Sequence, residues 1–376
     1  MLAPSLQEVI SALERRYDPA WAEPWDAVGL VVGDPAAPVR RVLLAVDPVA
    51  AVVTEALAAG ADLLVTHHPL LLTPVHGVPA TTAKGQLVHR LIRAGVALYV
   101  AHTNADVADP GVSDALAAVF GLQEVRPLRR LDADPLDKLV TFVPHADADR
   151  VIDALAAAGA GAIGDYARCA WTTTGTGTFL PGDGAAPAIG EPGRIEVVPE
   201  TRLEMVAPRA ARHAVLAALR AAHPYEEPAY DVFQLAGLPG RRGLGRVGEL
   251  PVAATLAEFT VAAARALPPT AWGVRAAGDP TRTIRRVAVC GGAGGDLVGA
   301  AAQAGADVLL TADLRHHPAS EAVEEGGIAL LDAAHWATEA PWLAAAAQQL
   351  RSDLADTVAV TVSTTKTDPW TMSERP

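Results

Sequence analysis

One feature limits the fold of this chain more than any other: it contains a repeat. RRVLLAVD (Arg40 to Asp47) is followed by AGADLLVT (Ala59 to Thr66); RRVAVCGG (Arg285 to Gly292) is followed by AGADVLLT (Ala304 to Thr311). Both pairs stand 245 residues apart, Arg40 to Arg285 and Ala59 to Ala304. A third pair, GVAL at Gly95 and GIAL at Gly327, is offset by 232, so the second copy lacks about a dozen loop residues. Each copy reads strand, helix, strand, loop and helix, strand. That βαβαβ pattern implies a parallel sheet with crossover connections. In the first copy the strands are VLLAVD, ADLLVT and VALYVA, and in the second VAVCGG, DVLLTA and IALLDA. The GGAGG run from Gly291 reads as a tight strand-to-helix turn, because its spacing does not fit a dinucleotide fingerprint.

A block of different texture, from about Asp134 to Leu238, separates the copies. Its order is strand, helix, strand, strand, helix, strand, the βαββαβ ferredoxin-like unit, with the long Gly/Pro-rich loop Leu180 to Gly193 inside it. The sequence therefore predicts an α/β fold of two related lobes with parallel-rich sheets, plus an inserted α+β domain. Lobe one spans 1–130, the insert 131–240 and lobe two 241–376.

Length and composition suit this plan. With 376 residues there is room for two or three domains, and 51% hydrophobic residues provide a large core. A net charge of −13 repels phosphate backbones, which argues against general nucleic-acid binding. The two cysteines, Cys169 and Cys290, form no CxxC pattern and suit a reduced, cytoplasmic location. The N-terminus reads as an amphipathic helix with no signal peptide, and no run of apolar residues is long enough to span a membrane.

The residues suited to chemistry follow strand ends. His67 and His68 close the second strand of copy one; His102 and Asp106 follow its third. Asp313, His316 and His317 follow the second strand of copy two; His335 and Glu339 follow its third. Open parallel sheets place ligand sites beyond these carboxyl ends. Adjacent side chains of an extended segment point to opposite sides, so His67 and His68 suit two metals, one each. His335 and Glu339, four apart, share a helix face. Together with Asp106 this makes three histidines and two carboxylates, a set that suits two divalent ions such as Zn, Fe or Mn. His102 and His317 are the expected catalytic bases, and His316 is expected in solvent. HPYEEPAYD (His223 to Asp231) reads as a structural corner or a contact between inserted domains.

These motifs carry a resemblance. WDAVGLVVG (Trp25 to Gly33), ADLLVTHHPLLL (Ala61 to Leu72), AHTNAD, LLTADLRHHPA (Leu309 to Ala319), AHWATE and TDPW (Thr367 to Trp370) resemble the NIF-three-like family, also labelled GTP cyclohydrolase I type 2 homologues. The insert, with GTGTFLPGDGAAPAIG and HPYEEPAYD, is similar to that of members carrying an extra CutA/PII-like domain. The resemblance implies a dinuclear centre on His67, His68, Asp106, His335 and Glu339. It also implies a toroidal homohexamer whose metal sites face an inner cavity, with the insert capping the openings. Three positions depart from the family pattern: Ala27 for Asn, Ala312 for Gly and Ala334 for Gly. The expected function is a metal-dependent hydrolase of a small nucleotide-like, phosphoester or cyclic amide substrate. The alternative is a non-enzymatic metal-binding scaffold or regulator.

Overall fold

The computed structural model describes residues 3–325 and 327–374. The fold is mixed α/β with parallel-rich sheets, and the repeat is visible in strand register. In one sheet Val42 lies opposite Leu63 and Leu63 opposite Ala97, all parallel. In the other, Val287 lies opposite Val308 and Val308 opposite Ala329. These trios are related by the offsets seen in the sequence. The strands Leu63–Thr66 and Val308–Ala312 are buried at every residue, as expected when both sheet faces are covered. Each trio also gains an antiparallel outer strand: Gly29–Val32 beside Ala97–Val100, and Val274–Ala277 beside Ala329–Ala333.

The chain divides into two compact units, 1–131 with 241–376, and 132–240. Within the first unit the consecutive lobes expected from the sequence interleave at their ends. Strand Gln123–Asp132 joins the six-stranded sheet of the second copy, next to Pro239–Thr255. Strand Ala359–Val362 returns to the five-stranded sheet of the first, parallel to Arg41–Ala45. Each exchange covers a sheet edge that would otherwise expose unpaired backbone groups. Helix His335–Asp353 leaves the second sheet and packs Trp342, Leu343 and Ala346 into the core of the first, together with helix Leu6–Glu14. The start of the same helix, at Ala334 and Ala337, belongs to the core of the second sheet. Elements from both copies therefore meet at His335.

The second unit is a four-stranded antiparallel sheet in the order Trp171–Phe179, Glu196–Pro208, Leu136–Pro144, Tyr230–Gln234. Helices Ala148–Ala157 and Arg212–Ala222 cover one face, burying Leu139, Val151, Leu155, Leu203 and Leu219. Its elements follow the order βαββαβ. Among the described residues no helix is long and apolar enough to cross a membrane.

Candidate metal centre

The parallel sheets deliver their strand ends to one place. The backbone N–H of His67 donates to Ala45 and that of His68 to Val46, so both histidines stay tied to the neighbouring strand just beyond the end of strand Leu63–Thr66. His67 is fully buried, and its ring lies between those of His68, His102 and Trp342 at centroid distances of 5.1, 5.2 and 5.4 Å. The ring of His335 stands 5.2 Å from that of His68.

All four imidazoles are oriented in the same way. Nδ1–H of His67 donates to the carbonyl of Ala101 at 2.9 Å. His68 donates to Asp47 at 2.7 Å, His102 to Asp26 at 2.8 Å, and His335 to Asp313 at 2.6 Å. An acceptor on Nδ1 selects the tautomer that leaves the Nε2 lone pair free, the usual arrangement behind metal-binding histidines. Nε2 of His67 lies 3.5 Å from Glu339 Oε1 and 3.6 Å from Asp106 Oδ1. Nε2 of His335 is 2.9 Å from Glu339 Oε1, and Nε2 of His68 is 3.2 Å from Glu339 Oε2. Glu339 thus stands between three imidazoles.

The donor atoms of His67, His68 and His102 lie within 4.8 Å of one another, as do those of His68, His335 and Glu339; either group can hold a metal ion. Two of these atoms, His67 Nε2 and Glu339 Oε2, are buried without a hydrogen-bond partner. A buried lone pair left unpaired is costly, and a cation bound there would satisfy it. The donor set also suits a borderline divalent ion, so the residues present fit a metal.

The electrostatics point the same way. Burial opposes charge on Glu339, but the flanking His67 and His68 outweigh it and hold its carboxyl well below the usual range. Burial likewise disfavours charge on His68, yet Glu339 and Asp47 raise its imidazole to about 11. His335 rises to about 9 against the same penalty, through Glu339 and Asp313. Burial pushes the Asp106 carboxyl up, partly offset by His67. Without a cation, the cluster holds protons between its carboxylates.

The structure brings His67, His68, His102, Asp106, His335 and Glu339 together. His102, expected as a base, has the same tethered ring as the other three histidines. His317, the other expected base, stays outside: helix His316–Glu324 holds both His316 and His317 exposed in its first turn, ring against ring. The GGAGG run ends strand Thr283–Ala293 with Gly291 and Gly292 and turns through Gly294 into the helical segment that starts at Gly295, as the sequence reading expects. A Cβ on Gly292 would come within 2.5 Å of Glu339 Oε1 and 3.1 Å of His335 Nε2. Sequence reasoning missed Asp47, although it ends the first repeated strand as the histidines end the next two. Beside the cluster, His68, His335, Trp272, Trp336, Asp368 and Trp370 line a cavity of about 300 Å³.

Fold and donor set together define a class: an α/β protein with two related parallel-rich sheets whose strand ends converge on a histidine–carboxylate cluster able to hold metal. Relatives narrow this. The chain belongs to the Duf34/NIF3 (NGG1p interacting factor 3) family, whose model matches residues 4–369. A Mycobacterium leprae protein named "GTP cyclohydrolase 1 type 2 homolog" is 52% identical over 373 residues, covering 98% of this chain and 96% of its own. The crystal structure of a Bacillus cereus protein related to NIF3 matches with a TM-score of 0.83 at 36% identity, covering 99% of this chain and 100% of that one. A Staphylococcus aureus structure matches with a TM-score of 0.81 at 27% identity, covering 99% of both chains.

Proposed function

We propose that this protein is a hydrolase dependent on two divalent ions, Zn, Fe or Mn, held by His67, His68, Asp106, His335 and Glu339. We add His102 to the ligands, in place of the base role expected for it. The observation that carries this reading is the uniform tethering of four Nδ1 atoms, with the orphaned His67 Nε2 at its centre. Bound ions would supply Lewis acidity, polarising a substrate oxygen and acidifying a coordinated water.

The chain's own residues do the rest. Asp26, Asp47 and Asp313 fix the imidazoles, so no reorganisation is needed when charge develops. Trp272, Trp336 and Trp370 wall the adjoining cavity, whose size selects a small substrate or one ring of a larger one. Asp313, whose side chain is 59% exposed, connects His335 to solvent and offers a route for protons. A nucleotide, a phosphoester or a cyclic amide fits these limits. The name shared by the relatives makes ring opening of GTP the first reaction to test. The assembly we propose is the toroidal homohexamer, with the insert as a CutA/PII-like cap, in the cytoplasm.

Elemental analysis by plasma mass spectrometry tests the centre. Near two metals per chain, lost in His67→Ala/Glu339→Ala, is the expected result. Hydrolysis of a nucleotide or phosphoester panel should vanish in the same variant while its circular dichroism is kept. Metal that exchanges freely with no turnover would point instead to a scaffold or regulator.

A further inference from the structure

A second well-formed cavity, about twice the volume of the one beside the metal centre, lies within the second unit, and the metal centre gives it no role. It encloses about 600 Å³, inside the range of small-molecule sites. It opens on the sheet face opposite the helices. The sequence makes the room: in TGTGTF, Gly175 and Gly177 occur at alternate positions of strand Trp171–Phe179 and present no side chain to that face. On the neighbouring strand Glu200 pairs with Gly175. Its carboxylate occupies the space left by Gly177, where a Cβ would come within 2.0 Å of Oε2.

Glu200 is only 9% exposed. Tyr225 Oη donates to its Oε1 at 2.9 Å, and burial pushes the Tyr225 hydroxyl well above its ordinary range, so it stays a donor. Tyr225 packs on Phe179 at 5.7 Å, and Phe142 completes an aromatic wall. Glu226 accepts from the backbone N–H of Ala186 at 3.0 Å, which ties the Gly/Pro-rich loop to the HPYEEP turn and closes the side of the cavity. Glu227 lines it as well. The single lining arginine, Arg202, already pairs with Glu204 and lies over the Phe142 ring. Three carboxylates thus face one engaged guanidinium.

We propose that this cavity binds a small organic cation, an ammonium carried on an apolar body. A carboxylate at the floor supplies a charge-assisted hydrogen bond, and aromatic faces attract a cation through their quadrupoles. A neutral or anionic molecule of the same shape would leave Glu200 without a countercharge. Cation binding also gives a function to two motifs, TGTGTF and HPYEEP, that the metal centre does not use.

The test is isothermal titration calorimetry of the full-length protein with benzylamine and cyclohexylamine, beside benzyl alcohol and benzoate as matched controls. Saturable binding of the amines alone is expected. Glu200→Gln, which keeps the shape, should weaken it about tenfold or more. Phe179→Leu should weaken it less, and His67→Ala/Glu339→Ala should leave it unchanged. Benzoate binding as well as benzylamine, failure of both amines, or unaltered affinity in Glu200→Gln would each overturn the proposal. So would self-association through this face that excludes the amines, measured by sedimentation with and without benzylamine.

Discussion

At the scale of single residues, a histidine becomes a metal ligand through what holds its other nitrogen. Asp47 and Asp26 contact no candidate ion but orient His68 and His102. Asp26 is itself kept ionised: despite burial, His102 and the backbone and hydroxyl of Thr103 hold it well below the ordinary range. Asp47→Asn and Asp26→Asn should each weaken metal binding about 10- to 100-fold with little change in melting temperature, as competition with a chromophoric chelator would show. The raised imidazoles set the pH behaviour. His68, at about 11, and His335, at about 9, stand above their ordinary 6.5, so in the metal-free protein each binds its proton more tightly folded than unfolded. Their stabilisation is complete below about 6.5 and is lost as pH rises towards 9 and then 11. The metal-free protein should therefore melt at lower temperature at pH 10 than at pH 6.5. Metal needs neutral imidazoles, so its binding at pH 7 should release protons and tighten as pH rises. Calorimetry in buffers of differing ionisation enthalpy measures the release.

At the scale of elements, the repeat has a local cause. Asp62 Oδ2 accepts from the backbone N–H groups of Arg40 and Arg41, and Asp307 Oδ2 from those of Arg285 and Arg286. Each AGAD motif ends a helix with a left-handed glycine, Gly60 or Gly305, and pins the neighbouring strand with the aspartate that follows. Asp62→Ala and Asp307→Ala should each cost about 1 kcal/mol in urea unfolding, and the two should add, because the sites are separate. This is why the strands were legible: apolar runs bounded by Gly and Asp carry their own signals. Helix His316–Glu324 was less so, because its first turn holds two histidines and a proline that read as loop. The outer strands Gly29–Val32 and Val274–Ala277 are short, only partly buried and carry weak period-two patterns.

At the scale of the whole chain, the first unit is held by contacts between distant segments. Arg246, 2% exposed, donates to both oxygens of Asp114 at 2.7 and 2.6 Å and to the carbonyls of Ala108, Gly243 and Gly245. It thereby fastens strand Pro239–Thr255 to the segment that follows Asp106. Arg246→Ala should lower stability by about 3–5 kcal/mol in urea titration, since it strands a carboxylate and three carbonyls. By itself the sequence determined the strands, their parallel pairing, the repeat and the residue types at strand ends, because hydrophobic period and turn chemistry are local. Only the tertiary structure decided which strand ends meet, that His102 joins the cluster and His317 does not, and that the two copies exchange edge strands. Those outcomes depend on packing between residues hundreds of positions apart, as when helix His335–Asp353 buries Trp342 against His67, and no local pattern records such distances.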